Sequence, residues 1–157
     1  MKKILYIDMD GVLVEFNSGI NKLSETLKAD YINRYDEAPG IFALMDPIKG
    51  ALNAFNKLAK LFDIYILTTS PWLNSTALQD KKDWVEKHLG EKAKKRLIFS
   101  HHKNLNKGDF LIDDRKVNGV MQFEGEHIHF GTADFSSWDD ILNYLIPIAD
   151  SQINIDK

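Results

Sequence analysis

Four short apolar runs, each halted by residues that can do chemistry, constrain this chain more than any other feature. Ile4–Ile7 stops at Asp8 and Asp10, and Ile64–Leu67 at Thr68, Thr69 and Ser70. Leu97–Phe99 runs into His101, His102 and Lys103, and Phe110–Ile112 into Asp113 and Asp114. The apolarity is continuous rather than alternating, which suits strands covered on both faces and so a parallel sheet. Val120–Phe123 and His127–Phe130 are weaker strand candidates. Unpaired charge at the end of a buried strand is costly, so the acids need a reason to be there.

Helical patterns lie between the runs. "PIKGALNAFNKLAKLF" carries Ile48, Leu52, Phe55, Leu58, Ala59 and Phe62 on one face, with Pro47 placed for a helix start. "NSTALQDKKDWVEKHLG" opens on capping residues and ends at Gly90. "SSWDDILNYLIPIA" follows a serine cap, and Pro147 is expected to end or bend that helix. Trp84, Trp138 and Phe55 fall on apolar faces and read as core. This alternation implies an α/β fold, a doubly wound, mostly parallel, Rossmann-like sheet with right-handed crossovers. Residues of about 17–46 break the rhythm: "NSGINKLSETLKADYINRY" reads as a small helical cap insert over the sheet's edge. The expectation is a single domain over residues 1–157 carrying that insert.

Composition excludes several classes. With 44% hydrophobic and 27% charged residues the chain can bury a core. Its net charge of −3 provides no basic excess to neutralise a nucleic-acid polymer. "KKDWVEKHLGEKAKKR" is locally basic, but acids interleave its lysines, and it reads as a solvated helix face. Cysteine is absent, which removes disulfides, thiol catalysis and Cys-ligated metals and fits a reducing compartment. The apolar stretch after Lys2 and Lys3 breaks too early for a secretory signal, and no run reaches membrane-spanning length. A cytoplasmic protein without a membrane partner is the expectation.

Ligands in open parallel sheets bind beyond the carboxyl ends of the strands. Four carboxylates, several hydroxyls and an amine should therefore meet at one edge. The acids would repel one another unless a cation sat among them, and an all-oxygen cluster is what Mg²⁺ prefers. A single Asp after a strand is usually a cap or turn residue; two such pairs, with hydroxyls and a lysine, are more than that explains. His101 and His102 read as loop polarity, and His127 and His129 as structural. Trp72 follows the hydroxyl run at the site's rim and reads equally as a side chain that stacks on a ligand or as one with no such role.

The ensemble resembles the haloacid dehalogenase (HAD) superfamily of phosphatases. "DMDGV" matches its first motif, a hydroxyl after the second strand its second, Lys103 its third and Asp113–Asp114 its fourth. Within it, the chain resembles the 5′(3′)-deoxyribonucleotidases in "DMDGVLVEF", "DPIKGALNAFNKLAKLFDIYILTTSP", "KKDWVEKHLG", "KNLNKGDFLIDDR" and "SWDDIL". The resemblance implies a HAD core and a Mg²⁺-dependent phosphomonoester hydrolase working through an aspartyl-phosphate. Asp8 would be the nucleophile, Asp10 the general acid and base, and Lys103 a catalytic and phosphate-binding cation. Mg²⁺ would bind Asp8, the Asp10 backbone carbonyl and Asp113, with Asp114 direct or through water. A phosphate oxygen would meet Thr68 or Thr69, with Ser70 beside them: counting from Asp63 favours Thr68, counting back from Pro71 favours Thr69. Lys107 is a weaker candidate for the role of Lys103.

The resemblance implies a small phosphomonoester as substrate, with a deoxyribonucleoside monophosphate as the expectation. The insert lacks the Phe-Trp pair that stacks on the base in eukaryotic members; Phe16, Tyr31, Tyr35 and Phe42 are the available aromatics. A non-nucleotide phosphomonoester is the alternative substrate. Two other classes compete. In a phospho-receiver the acceptor Asp follows a middle strand, whereas here Asp-x-Asp comes first. A non-catalytic phosphate-binding module on an enzyme scaffold would not need every catalytic residue, yet each one is present.

Overall fold

The computed structural model describes residues 1–155. Its centre is a five-stranded, all-parallel sheet made of β1 (Ile4–Ile7), β4 (Asp63–Thr68), β5 (Leu97–Phe99), β6 (Phe110–Asp113) and β7 (Glu126–His129). The spatial order is β5-β4-β1-β6-β7. The chain builds outward from β1 through β4 to β5, then returns to the other side of β1 for β6 and β7. The direction reverses between β1 and β6, which is where an open α/β sheet leaves a crevice. Asp8 follows the first of these strands and Asp113 closes the second.

Alternate side chains go to opposite faces, and the two faces are covered differently. Leu5, Ile7, Ile64, Ile66, Phe110, Ile112 and Ile128 join the large core, which includes residues of the helices α4 (Ala51–Leu61), α5 (Ala77–Leu89) and α6 (Trp138–Ile155). Phe55, Trp84 and Trp138 are buried there. Tyr6, Leu67 and Leu111 instead meet Val120 and Phe123 in a smaller cluster. The β6–β7 connection on this side is a 3₁₀ turn at Val120–Gln122. Val120–Phe123 is therefore not the strand its apolarity suggests; its Val and Phe are the cover over the second face.

Two helix boundaries differ from expectation. Pro47 starts no helix but pairs, as part of β3 (Asp46–Pro47), with β2 (Val14–Glu15), and α4 begins after Gly50 at φ +85°. Helix α6 continues through Pro147 to Ile155. Proline deprives the Asn143 carbonyl of its partner, but both residues are exposed, so water can replace the lost bond.

Between β2 and β3 lie α1 (Phe16–Lys22), α2 (Glu25–Asp30), a 3₁₀ turn at Tyr35–Glu37 and α3 (Ile41–Leu44). The single helix-like piece of the sequence is two helices, broken where the Ser24 hydroxyl accepts from Leu27 N and caps the second. This segment is tied to the rest by hydrogen bonds. Asn74, buried after β4, donates to the carbonyls of Asp36 (2.8 Å) and Ala38 (3.0 Å). The Trp84 indole donates to Met45 O (2.8 Å), and Gly40 N donates to the Thr76 hydroxyl (2.8 Å). Among the described residues, no helix is long and apolar enough to cross a membrane.

Candidate active site

The β1 strand delivers Asp8 to the crevice, where its own N–H still bonds Ile112 O (2.9 Å). The chain then turns tightly: Val12, Leu13 and Val14 all donate to Met9 O. Gly11 sits in this turn at φ +73°, and a Cβ on it would lie 2.3 Å from Asp114 Oδ2. Glycine is thus required twice, for its backbone angle and for the space the carboxylate occupies.

Carboxylate oxygens of Asp8, Asp113 and Asp114 all lie within 4.8 Å of one another. Lys103, brought in by the turn Lys103–Leu105, joins two of them, with Nζ 3.0 Å from Asp8 Oδ1 and 2.5 Å from Asp113 Oδ2. Asp8, Asp113 and Lys103 are all nearly buried. One ammonium among three carboxylates leaves the cluster short of positive charge. Burial and the neighbouring Asp8 raise the Asp113 carboxyl, against the pull of Lys103. Asp114 is pushed up to about 6 by burial, then by Asp8 and Asp113. Asp114 Oδ1 is itself buried with no hydrogen-bond partner. A divalent cation would answer both the charge deficit and the orphaned oxygen, and the oxygen-only donors suit a hard ion such as Mg²⁺.

Asp10 belongs to a second network. Its Oδ2 accepts from Lys81 Nζ at 2.7 Å, and the same ammonium donates to the Thr68 hydroxyl (2.9 Å) and Thr69 O (2.6 Å). Burial raises the Asp10 carboxyl, Lys81 opposes this, and Asp8 adds to it. Lys81 was missed by sequence reasoning, which assigned its basic segment to a solvated face; it is fully buried. The signal was available. Lys81 lies in register with Ala77, Trp84 and Val85, on the apolar face of α5.

The two hydroxyl candidates part company here. Thr68 ends β4 fully buried, receiving Lys81. Thr69 lines a cleft of about 590 Å³ together with Asp10, Gly11, Asp114 and Arg115. Ser70 is half-buried and does not line that cleft. Phe16, Tyr35 and Phe42 from the insert form part of its wall, with Asn33 and Asp36. Tyr31 instead packs on the core with Arg34 over its ring. Trp72 stands 89% exposed outside the cleft, its ring edge toward His101. Lys107 is exposed, with its backbone carbonyl accepting from the Tyr6 hydroxyl.

The chain is similar to known proteins to differing extents. The family model for 5′ nucleotidase, deoxy (pyrimidine), cytosolic type C protein matches residues 18–143. A protein of Vibrio phage KVP40 named for 5′(3′)-deoxyribonucleotidase activity is 59% identical over 144 residues, spanning 92% of this chain and 85% of its own. The human cytosolic-type 5′(3′)-deoxyribonucleotidase is 32% identical over 155 residues, covering 79% of this chain and 77% of its own. Among solved structures, YfnB of Bacillus subtilis, crystallised with magnesium and assigned to the HAD-hydrolases, superposes with a TM-score of 0.62. The match has 11% identity and covers 92% of this chain and 98% of YfnB. At that identity the likeness shows the shared fold alone.

Proposed function

The chain belongs to the cytosolic type C 5′ nucleotidase family, a HAD-type phosphatase, and from that membership we propose that it hydrolyses deoxyribonucleoside monophosphates with Mg²⁺. The observation that carries the chemistry is the meeting of Asp8, Asp113 and Asp114 within 4.8 Å, with Lys103 bridging two of them. Asp8, Asp113, the Asp10 backbone carbonyl and Asp114, direct or through water, would hold the ion. When bound, Mg²⁺ supplies the positive charge that lets an anionic nucleophile approach a phosphate dianion.

Asp8 attacks phosphorus in line; the P–O bond to the nucleoside breaks as the Asp8–phosphorus bond forms. Asp10 gives its proton to the departing alkoxide oxygen. Its raised affinity for a proton suits that task, and Lys81 keeps it from rising so far that the proton could not leave. Water then attacks the aspartyl-phosphate, Asp10 takes the water's proton, and phosphate departs from a regenerated Asp8 carboxylate. Lys103 offsets charge on the phosphoryl oxygens. The Thr69 hydroxyl, in the cleft beside Asp10, holds a phosphate oxygen.

The cleft volume is in the range of small-ligand sites. Its aromatic wall of Phe16, Tyr35 and Phe42 offers faces for a base. A screen of phosphomonoesters with Mg²⁺, nucleoside monophosphates included, tests the substrate class; a preference for sugar phosphates would overturn it. Asp8→Asn is expected to abolish turnover with an unchanged melting temperature. Turnover in a well-folded Asp8→Asn protein would remove Asp8 as nucleophile. EDTA should silence the enzyme and Mg²⁺ restore it.

A further inference from the structure

The cation site depends on two neighbouring residues, Asp113 and Asp114, both facing Asp8 against mutual repulsion. The β6–β7 ladder ends as Phe130 N donates to Asp113 O (3.1 Å). Asp114 lies beyond it. Two imidazoles take over there. His127 Nε2 lies 3.0 Å from Asp113 O, and His129 Nε2 lies 2.9 Å from Asp114 O. A carbonyl only accepts, so each Nε2 carries the hydrogen and donates. In register, His129 stands opposite Asp113 and His127 opposite Leu111, so each side chain reaches past its own strand partner. The rings lie 5.1 Å apart at 31°, both on the strand face opposite the buried Ile128.

We infer that His127 and His129 are positioning residues for the divalent-cation site. His129 extends the sheet's hydrogen bonding beyond the ladder to the Asp114 carbonyl, His127 adds a second donor to the Asp113 carbonyl, and together they fix those two peptide planes. The carboxylates are thereby held at Asp8 before an ion arrives. The inference rests on the metal-binding reading proposed above.

The test uses the metal-free full chain titrated with Mn²⁺, read by the electron paramagnetic resonance of the free ion. His129→Leu removes the donor, whereas His129→Gln keeps an N–H at similar reach. His129→Leu should weaken Mn²⁺ binding on the order of tenfold, the usual scale for loss of an outer-shell support. His127→Leu/His129→Leu should weaken it further, and His129→Gln should restore most of the wild-type affinity. The Mg²⁺ concentration for half-maximal turnover should rise by the same factor. Wild-type Mn²⁺ affinity in a folded His129→Leu protein, or equal weakening by Leu and Gln, overturns the clamp alone. A wild-type protein that binds no Mn²⁺ overturns the metal reading and the clamp with it.

Discussion

Charge placed where it cannot be hydrated governs this protein residue by residue. Lys81 is a buried cation whose ammonium is shared between Asp10 and two oxygens of the Thr68–Thr69 stretch. Removing one partner of a buried pair leaves the other uncompensated. Lys81→Met should lower stability by roughly 3 kcal/mol and slow turnover on the order of 100-fold, by making Asp10, the proposed proton donor, a weaker acid. Denaturant melts and kcat measure the two effects. Asp10→Asn in the Lys81→Met background should recover the stability but not the rate. The acids predict a pH effect of definite sign. In the unfolded chain Asp114 titrates near 3.8, whereas in the fold it titrates at about 6. Between those values the folded protein keeps protons that the unfolded chain has released, so stability falls as pH rises through that window. Metal-free protein should therefore lose melting temperature from pH 4 to 6.5, and Asp114→Asn should flatten that slope. An equally steep slope in the variant would assign the effect elsewhere.

Secondary-structure elements succeed or fail by which face meets water. Strand pattern was legible because a strand covered on both faces must be apolar throughout, and all four strong runs are strands of one sheet. Val120–Phe123 misled for the same physical reason, since a turn lying on a sheet buries its apolar residues as a strand does. Proline in α6 shows a local rule overridden by tertiary packing: Ile141, Leu142, Leu145 and Ala149 hold the helix to the core on both sides of Pro147. Pro147→Ala returns an N–H to the helix without disturbing a buried contact. It should stabilise the protein by about 2 kcal/mol, raise the melting temperature, and leave kcat unaltered. A lower melting temperature would mean that the helix uses its proline.

Over the whole molecule, the chain draws its cleft from two distant parts, the loops beyond the parallel strands and the insert between β2 and β3. Asn74 joins them, from the loop after β4 to the carbonyls of Asp36 and Ala38, beside Tyr35 and Asp36 of the cleft wall. Asn74→Ala removes two hydrogen bonds that hold the wall and touches none of the reacting groups. KM for the nucleoside monophosphate should rise roughly tenfold, matching about 1.4 kcal/mol of lost support, with a smaller change in kcat. Amide exchange should quicken over residues 35–40. Unchanged KM and exchange would show that the insert is held without help from Asn74.

What the sequence determined by itself was the identity and chain positions of Asp8, Asp10, Lys103, Asp113 and Asp114. Each sits at or just beyond a strand end, where an abrupt stop in apolarity marks it within a few residues. Tertiary structure alone decided which threonine lines the cleft, which aromatics of the insert line it, and that Lys81 meets Asp10 and Thr68. Those outcomes turn on where side chains from separate elements converge: helical register places Lys81 on the inward face of its helix, but not which carboxylate it meets there. A strand end is a local property of the chain, whereas a neighbour 71 residues away exists only once the sheet has closed around it.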